Sequence, residues 1–220
     1  MLRLLSAQSA YRSAALLVGL PLMVHSPLAD PQRPSLFAAA DQTAEEEVVT
    51  GPYRLTPERR ALLDTIRFAE GTWIGGSTNG YRVIYGGSLA DSLARHPERV
   101  VVRRYVSAAA GAYQFLPRTW QMASAALGLP DFGPRSQDQA ALWLVDRRGA
   151  LRSVDHHGLS PEVLARLAPE WASLPSQHGG SYYGQPVRRV SELMAFYQSR
   201  LNQLTPALSQ ARRLRSGLPV

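Results

Sequence analysis

From Thr56 to Gly71 the chain reads T-P-E-R-R-A-L-L-D-T-I-R-F-A-E-G, and both ends of this run specify a helix terminus. Thr56 supplies an N-cap hydroxyl, Pro57 fills the first helical position where no N–H is needed, and Glu58 meets the positive end of the helix dipole. Leu62, Ile66 and Ala69 or Glu70 follow at helical spacing, and Gly71 provides the stop. A helix of this pattern must bury its Leu62–Ile66 stripe. The same stripe carries the Glu70 carboxyl towards the apolar side at the helix C-terminus.

Loss of water and the negative end of the dipole both disfavour an ionised Glu70 and raise its pKa towards the range of a proton donor at neutral pH. Periodicity equally allows an exposed Glu70 paired with Arg67 one turn earlier, worth about 0.2–0.5 kcal/mol. The pattern alone does not choose between them.

Two β-rich pieces come next: Tyr81 to Tyr85, ended by Gly86 and Gly87, and Val100 to Val106. Their β-branched and aromatic content predicts a small sheet. Pro117 then starts a helix closed by Gly128, Ser136 and Gln139 read as a capping box for a helix ending near Arg148, and Ser160–Pro161 open another. A last helix over 187–204 places Val187, Val190, Met194, Tyr197, Leu201 and Leu204 on one face, a core stripe. The pattern shows no internal repeat.

At the N-terminus, Arg3 and Arg12 precede an apolar stretch from Ala14 to Val24 that Gly19 and Pro21 interrupt. This layout over 1–29 predicts a signal peptide, cleaved after Ala29 or Ala40, or an N-terminal anchor, and so a periplasmic or secreted protein. Residues 30–56, with Pro, Ala, Gln and the run Glu45-Glu46-Glu47, read as a disordered linker. The catalytic domain is expected over 57–204, as a monomer, with a fraying basic tail over 205–220.

The chain has no cysteine, which excludes disulfides and thiolate chemistry, and all 24 basic residues are arginine, for a net charge of +7. Without lysine, a phosphate-binding loop and Schiff-base catalysis are excluded. The arginines are scattered in pairs, as at Arg103-Arg104 and Arg188-Arg189, which argues against a nucleic-acid face. Asp155-His156-His157 lacks a further ligand at metal spacing, and Gly75-x-Ser77-x-Asn79 fails the nucleophile elbow. No metal or cofactor is expected.

The run S-A-A-A-G-A-Y-Q-F-L-P-R-T-W (Ser107 to Trp120), downstream of A-E-G-T at Glu70, resembles the lysozyme-like peptidoglycan-cleaving enzymes, closest to the lambda-phage type of lytic transglycosylase. The likeness runs from about Ala61 to Gln185 and includes G-Y-R-V-I-Y-G-G (Gly80 to Gly87), His96-Pro97, L-G-L-P-D-F-G-P-R-S-Q-D (Leu127 to Asp138), R-G-A-L (Arg148 to Leu151), W-A-S-L-P (Trp171 to Pro175) and Y-G-Q (Tyr183 to Gln185). It implies an α+β, lysozyme-like fold: a helical body, a small antiparallel sheet on one lip, and a glycan cleft holding Glu70.

Hydrolysis of a glycosidic bond usually needs two carboxylates. Among Asp64, Asp91, Asp131 and Asp138 no convincing partner for Glu70 appears: Asp64 falls on another helical face, and Asp131 and Asp138 flank a helix start. A lone carboxyl suffices when the substrate's own C6 hydroxyl is the nucleophile, giving a 1,6-anhydro sugar, which the resemblance also implies. A hydrolytic muramidase and a silent wall-binding module are the alternatives.

The resemblance puts Gln114 in the cleft facing Glu70, with peptidoglycan glycan strands as the partner; a purely structural Gln114 is the competing role. Tyr81, Tyr113, Tyr182 and Tyr183 could stack on sugar faces, Gln185 belongs to the same binding set, and Arg82 could hold a lactyl or peptide carboxylate.

Overall fold

The computed structural model describes residues 51–216, with side chains as far as residue 206. The expected signal segment, and the linker up to residue 50, lie outside the described residues. Helix α1 (Pro57–Ala69) is followed by a 3₁₀ turn (Thr78–Arg82), strands β1 (Val101–Val102) and β2 (Val106–Ser107), and helices α2 (Pro117–Leu127), α3 (Pro134–Arg147), α4 (Leu151–His157), α5 (Pro161–Leu167) and α6 (Val190–Ser216). None of the described helices is long and apolar enough to cross a membrane.

The end signals of α1 work as read: the Thr56 hydroxyl accepts from Arg59 N at 3.3 Å, and Glu70 is the C-cap. Leu62, Leu63 and Ile66 join one core with Leu142 and Val145 of α3, Leu164 and Leu167 of α5, Leu193 and Tyr197 of α6, and Trp171 and Leu174. Helix α6 packs along α1. Asp64, 2% exposed, ties the two together through Arg200 at 2.9 Å and also pairs with the buried Arg67. The Arg67 guanidinium in turn lies against the rings of Trp73 and Tyr81 at 4.9 and 4.6 Å, so its charge is met by a carboxylate and by π-faces.

Five local expectations are corrected. Residues 81–85 form no strand: the chain turns in the 3₁₀ segment and then makes only single bridges, Val83 to Leu89 and Ile84 to Ala110. Close packing imposes this, because a Cβ on Gly80 would lie 2.2 Å from the Thr72 carbonyl. The Val100–Val106 piece folds back on itself as the β1–β2 hairpin, pairing Val101 with Ser107 and Val102 with Val106. Its valines face solvent, so β propensity here shapes a lip and not the core.

At α3 the N-cap is Gly133, and Asp131 does the capping work by accepting from Gly133 N at 2.8 Å and from the Ser136 hydroxyl at 2.7 Å. Gln139 instead reaches back to Tyr53, accepting from its N at 2.9 Å and donating to its O at 2.7 Å. The chain just before α1, expected as linker, is thereby bound to the folded body. At the other end, α6 continues past the expected limit at Leu204 to Ser216, with Pro206 inside it.

Candidate active site

The residues that carry the two motifs meet at a pocket of about 450 Å³ lined by Glu70, Tyr85, Tyr105, Val106, Gln114, Thr119, Glu170, Tyr183 and Gln185 among others. Helix α1 delivers Glu70, the hairpin delivers Tyr105 and Val106, and the turn before α2 delivers Gln114.

Glu70 is half-buried and, among the described residues, is paired with no arginine. Arg67, its alternative partner from periodicity, is taken by Asp64 and by the Ser77 carbonyl at 2.9 Å. The Ser173 hydroxyl donates to Glu70 Oε1 at 2.6 Å, and the Ser173 backbone also contributes a hydrogen bond. Burial raises the carboxyl pKa, the two Ser173 bonds lower it, and burial prevails: the pKa is pushed up from 4.5 to about 7. The group can both give and take a proton near neutrality.

The Gly111–Gln114 turn is held from three sides. A Cβ on Gly111, where φ is 81°, would sit 2.3 Å from Gln137 Oε1, so only glycine lets α3 approach. Gln137 uses that approach: its Oε1 accepts from Ala112 N at 2.8 Å, and its Nε2 donates to Tyr81 O and Phe132 O at 2.9 and 2.7 Å. Trp171 Nε1 donates to Tyr113 O at 3.1 Å, and the Thr72 hydroxyl donates to Ala112 O.

Gln114 itself has φ 46°, the left-handed region that non-glycine residues seldom occupy. Its Nε2 donates to Val83 O at 3.2 Å and Gly111 O at 3.0 Å, which uses both amide hydrogens. Oε1 is the acceptor left over on a residue that lines the pocket. Gln114 therefore has both a structural bond set and an open polar atom.

Four sequence candidates, Tyr81, Tyr113, Arg82 and Tyr182, are not on the pocket wall. Tyr81 and Tyr113 are 5% and 0% exposed, so neither ring offers a face to a sugar. Their hydroxyls both donate to Asp138 Oδ1, whose other oxygen is 2.7 Å from Arg60 Nη2. Burial among these groups pushes the Tyr81 hydroxyl up to about 12 and that of Tyr113 well above its usual value. They form a buried polar network under the site, with Asp138 its centre. Arg82 turns away to donate to Ala90 O at 2.8 Å.

Tyr183 and Gln185 do line the pocket, whereas Tyr182 lines a neighbouring hollow with His178 and Glu162. The Tyr183 hydroxyl donates to Pro169 O at 2.7 Å, fixing this side of the pocket to the segment after α5.

Ser173, Glu170, Tyr85, Tyr105 and Thr119 escaped the sequence reading as site residues. Ser173 lies 103 residues from Glu70, a separation no local pattern bridges. Glu170 places a second carboxylate on the pocket wall, held by Arg148 at 2.7 Å. Among the described residues no group of three His, Cys, Asp or Glu is gathered that could hold a metal ion.

This architecture has counterparts. The endolysin family model matches residues 60–204. The endolysin of Escherichia phage lambda is 37% identical over 146 residues, covering 64% of this chain and 89% of the phage protein. That of Escherichia phage P2 is 34% identical over 153 residues, with 63% and 90% covered. Bacteriophage lambda lysozyme complexed with a chitohexasaccharide superposes with a TM-score of 0.62 at 36% identity, covering 68% of this chain and 97% of that one. The matched span contains Glu70, the Gly111–Gln114 turn and all of the pocket wall. The chain belongs to the endolysin family and is a glycan-cleaving, cell-wall-degrading enzyme of the lambda lysozyme type, with a lysozyme-like α+β fold.

Proposed function

We propose that the enzyme is a lytic transglycosylase, in which Glu70 alone serves as acid and then base. Glu70 protonates the oxygen bridging N-acetylmuramic acid C1 to N-acetylglucosamine C4, and the C1–O bond breaks with that oxygen leaving as a hydroxyl. The muramyl C6 hydroxyl then attacks C1, forming the C1–O6 bond and giving its proton to the Glu70 carboxylate. No water is consumed, and the acid is regenerated.

The observation that carries this reading is a carboxyl with a pKa of about 7 on a pocket whose other carboxylate, Glu170, is engaged by Arg148. The chitohexasaccharide in the related lambda lysozyme supports a β-linked amino-sugar strand as ligand. Gln114 Oε1 would accept from a sugar hydroxyl or acetamido N–H, and Tyr183 and Gln185 would flank the strand.

Because Glu170 lines the same pocket, hydrolysis with Glu170 as the second carboxylate is the competing reading. Mass spectrometry of the muropeptides released from peptidoglycan decides: 1,6-anhydro ends support the transglycosylase and reducing ends the hydrolase. Glu170→Gln should keep its activity under the first reading and lose it under the second. We further propose action in the cell envelope after export through the first 29 residues; a full-length chain found wholly in the cytoplasm would refute export.

A further inference from the structure

Six arginines of the described body have a carboxylate partner: Arg59, Arg60, Arg67, Arg148, Arg188 and Arg200. The remaining arginines with described side chains have none, and two of these stand at the tip of the β1–β2 hairpin. Arg103 and Arg104 are exposed, and among the described residues neither side chain meets a carboxylate or donates a hydrogen bond. The backbone bond from Arg103 N to Tyr105 O at 3.0 Å closes the turn on which they stand.

Neither lines the pocket that holds Glu70, but each lies against a residue next to or on its wall. The Arg104 guanidinium lies over the ring of Tyr105 at 5.6 Å, and Tyr105 is on the pocket wall. Arg103 lies against Gly86, where a Cβ would meet its Nε at 3.2 Å, and the adjoining Tyr85 is also on the wall. The lip thus presents two fork-shaped donors without a carboxylate partner next to wall residues of the pocket, while the Arg82 guanidinium is engaged by Ala90 O. A bare amino-sugar strand carries no anion for them. A muramyl strand does: its lactyl group bears a stem peptide with free carboxylates, which must project out of the cleft past a lip.

We propose that Arg103 and Arg104 bind the carboxylates of the stem peptide and so make the enzyme select peptide-bearing strands over bare glycan. This rests on the proposed action on peptidoglycan. Contacts of this kind at an exposed lip are individually weak, so the pair should be worth about three- to tenfold in kcat/KM.

The test compares the full chain with an Arg103→Gln, Arg104→Gln double variant on intact peptidoglycan and on glycan strands whose stem peptides an amidase has removed and whose freed lactyl carboxylates are then blocked as methylamides. An Arg54→Gln, Arg152→Gln variant, altered away from the pocket wall, removes the same net charge. The expected result is a three- to tenfold loss for the lip variant on intact material, carried mainly by KM, a change below about twofold on stripped strands, and no comparable loss for the control. An equal loss on both substrates, no loss on either, or an equal loss in the control would overturn the proposal. Wild-type protein inactive on both substrates would instead overturn the functional reading on which it rests.

Discussion

The Thr72 hydroxyl donates to the Ala112 carbonyl, joining the segment just after Glu70 to the turn that carries Gln114. Both residues are fully buried, so this bond couples the acid and the polar side chain of the pocket through a short rigid path. Thr72→Val keeps the shape and removes the donor. The orphaned carbonyl should cost about 1–3 kcal/mol, seen as a lower melting temperature, with a fall in kcat for the molecules that stay folded. Unchanged kcat would reduce Thr72 to a stabilising residue.

Glu70→Gln should remove lysis while the fold persists, with a loss of at least 10²-fold expected from acid–base catalysis alone. Retention of a tenth of the activity would refute the role. The same variant carries a stability signature. Folded Glu70 binds its proton more tightly than the unfolded chain, with a pKa of about 7 against 4.5, so the wild type loses stability as pH rises through that window. Relative to wild type, Glu70→Gln should gain about 1–3 kcal/mol at pH 8 and nothing at pH 4. Denaturant titrations at the two pH values measure this.

Ser173→Ala removes a hydrogen bond that favours the Glu70 carboxylate. The carboxyl should then hold its proton to higher pH. The alkaline fall of the pH–rate profile should move upward with it, and a profile that moves downward or stays in place would mean that Ser173 does not tune the acid.

Asp64→Asn should act on stability alone. It leaves Arg67 and Arg200 without their carboxylate at the α1–α6 contact, for a loss of about 1–3 kcal/mol, less than a fully buried pair because Arg200 is partly exposed. Activity per folded molecule should be unchanged. A rate loss as large as that of Glu70→Gln would make Asp64 a second catalytic carboxylate.

Gln114→Ala should lower both quantities, because Nε2 serves Val83 and Gly111 while Oε1 is available to a ligand. Turnover per folded molecule is expected to fall by one to two decades, roughly 1–3 kcal/mol of transition-state stabilisation. A stability loss with unchanged turnover would make the residue structural only.

What the sequence makes legible here is local. Thr56 and Pro57, Pro117 with Gly128, and Ser160 with Pro161 each act within a turn of themselves, and their helices form where expected. The Glu70 environment was only half readable, since the helix face that carries Leu62 and Ile66 allowed both a buried carboxyl and one paired with Arg67, and the choice is made by Asp64 and Ser77 taking Arg67. Tyr81 and Tyr113 misled because an aromatic ring beside a site motif has the same sequence whether it meets a sugar or Asp138, which lies 57 and 25 residues away. Ser173 and Glu170 were invisible for the same reason: their meaning comes from partners brought together only by the fold. The valines of the hairpin form strands as their β propensity suggests, yet Val102 and Val106 are largely exposed, because strand propensity does not say which side of a strand is wet.

The α1–α6 contact has a temporal consequence. The helix ending in Glu70 finds its Arg200 partner 136 residues after Asp64, so a loop of most of the domain must close before the catalytic helix is fully seated. A chain still emerging from the ribosome cannot complete this pairing. A wall-cutting enzyme built this way stays unfinished until its C-terminal helix has been made.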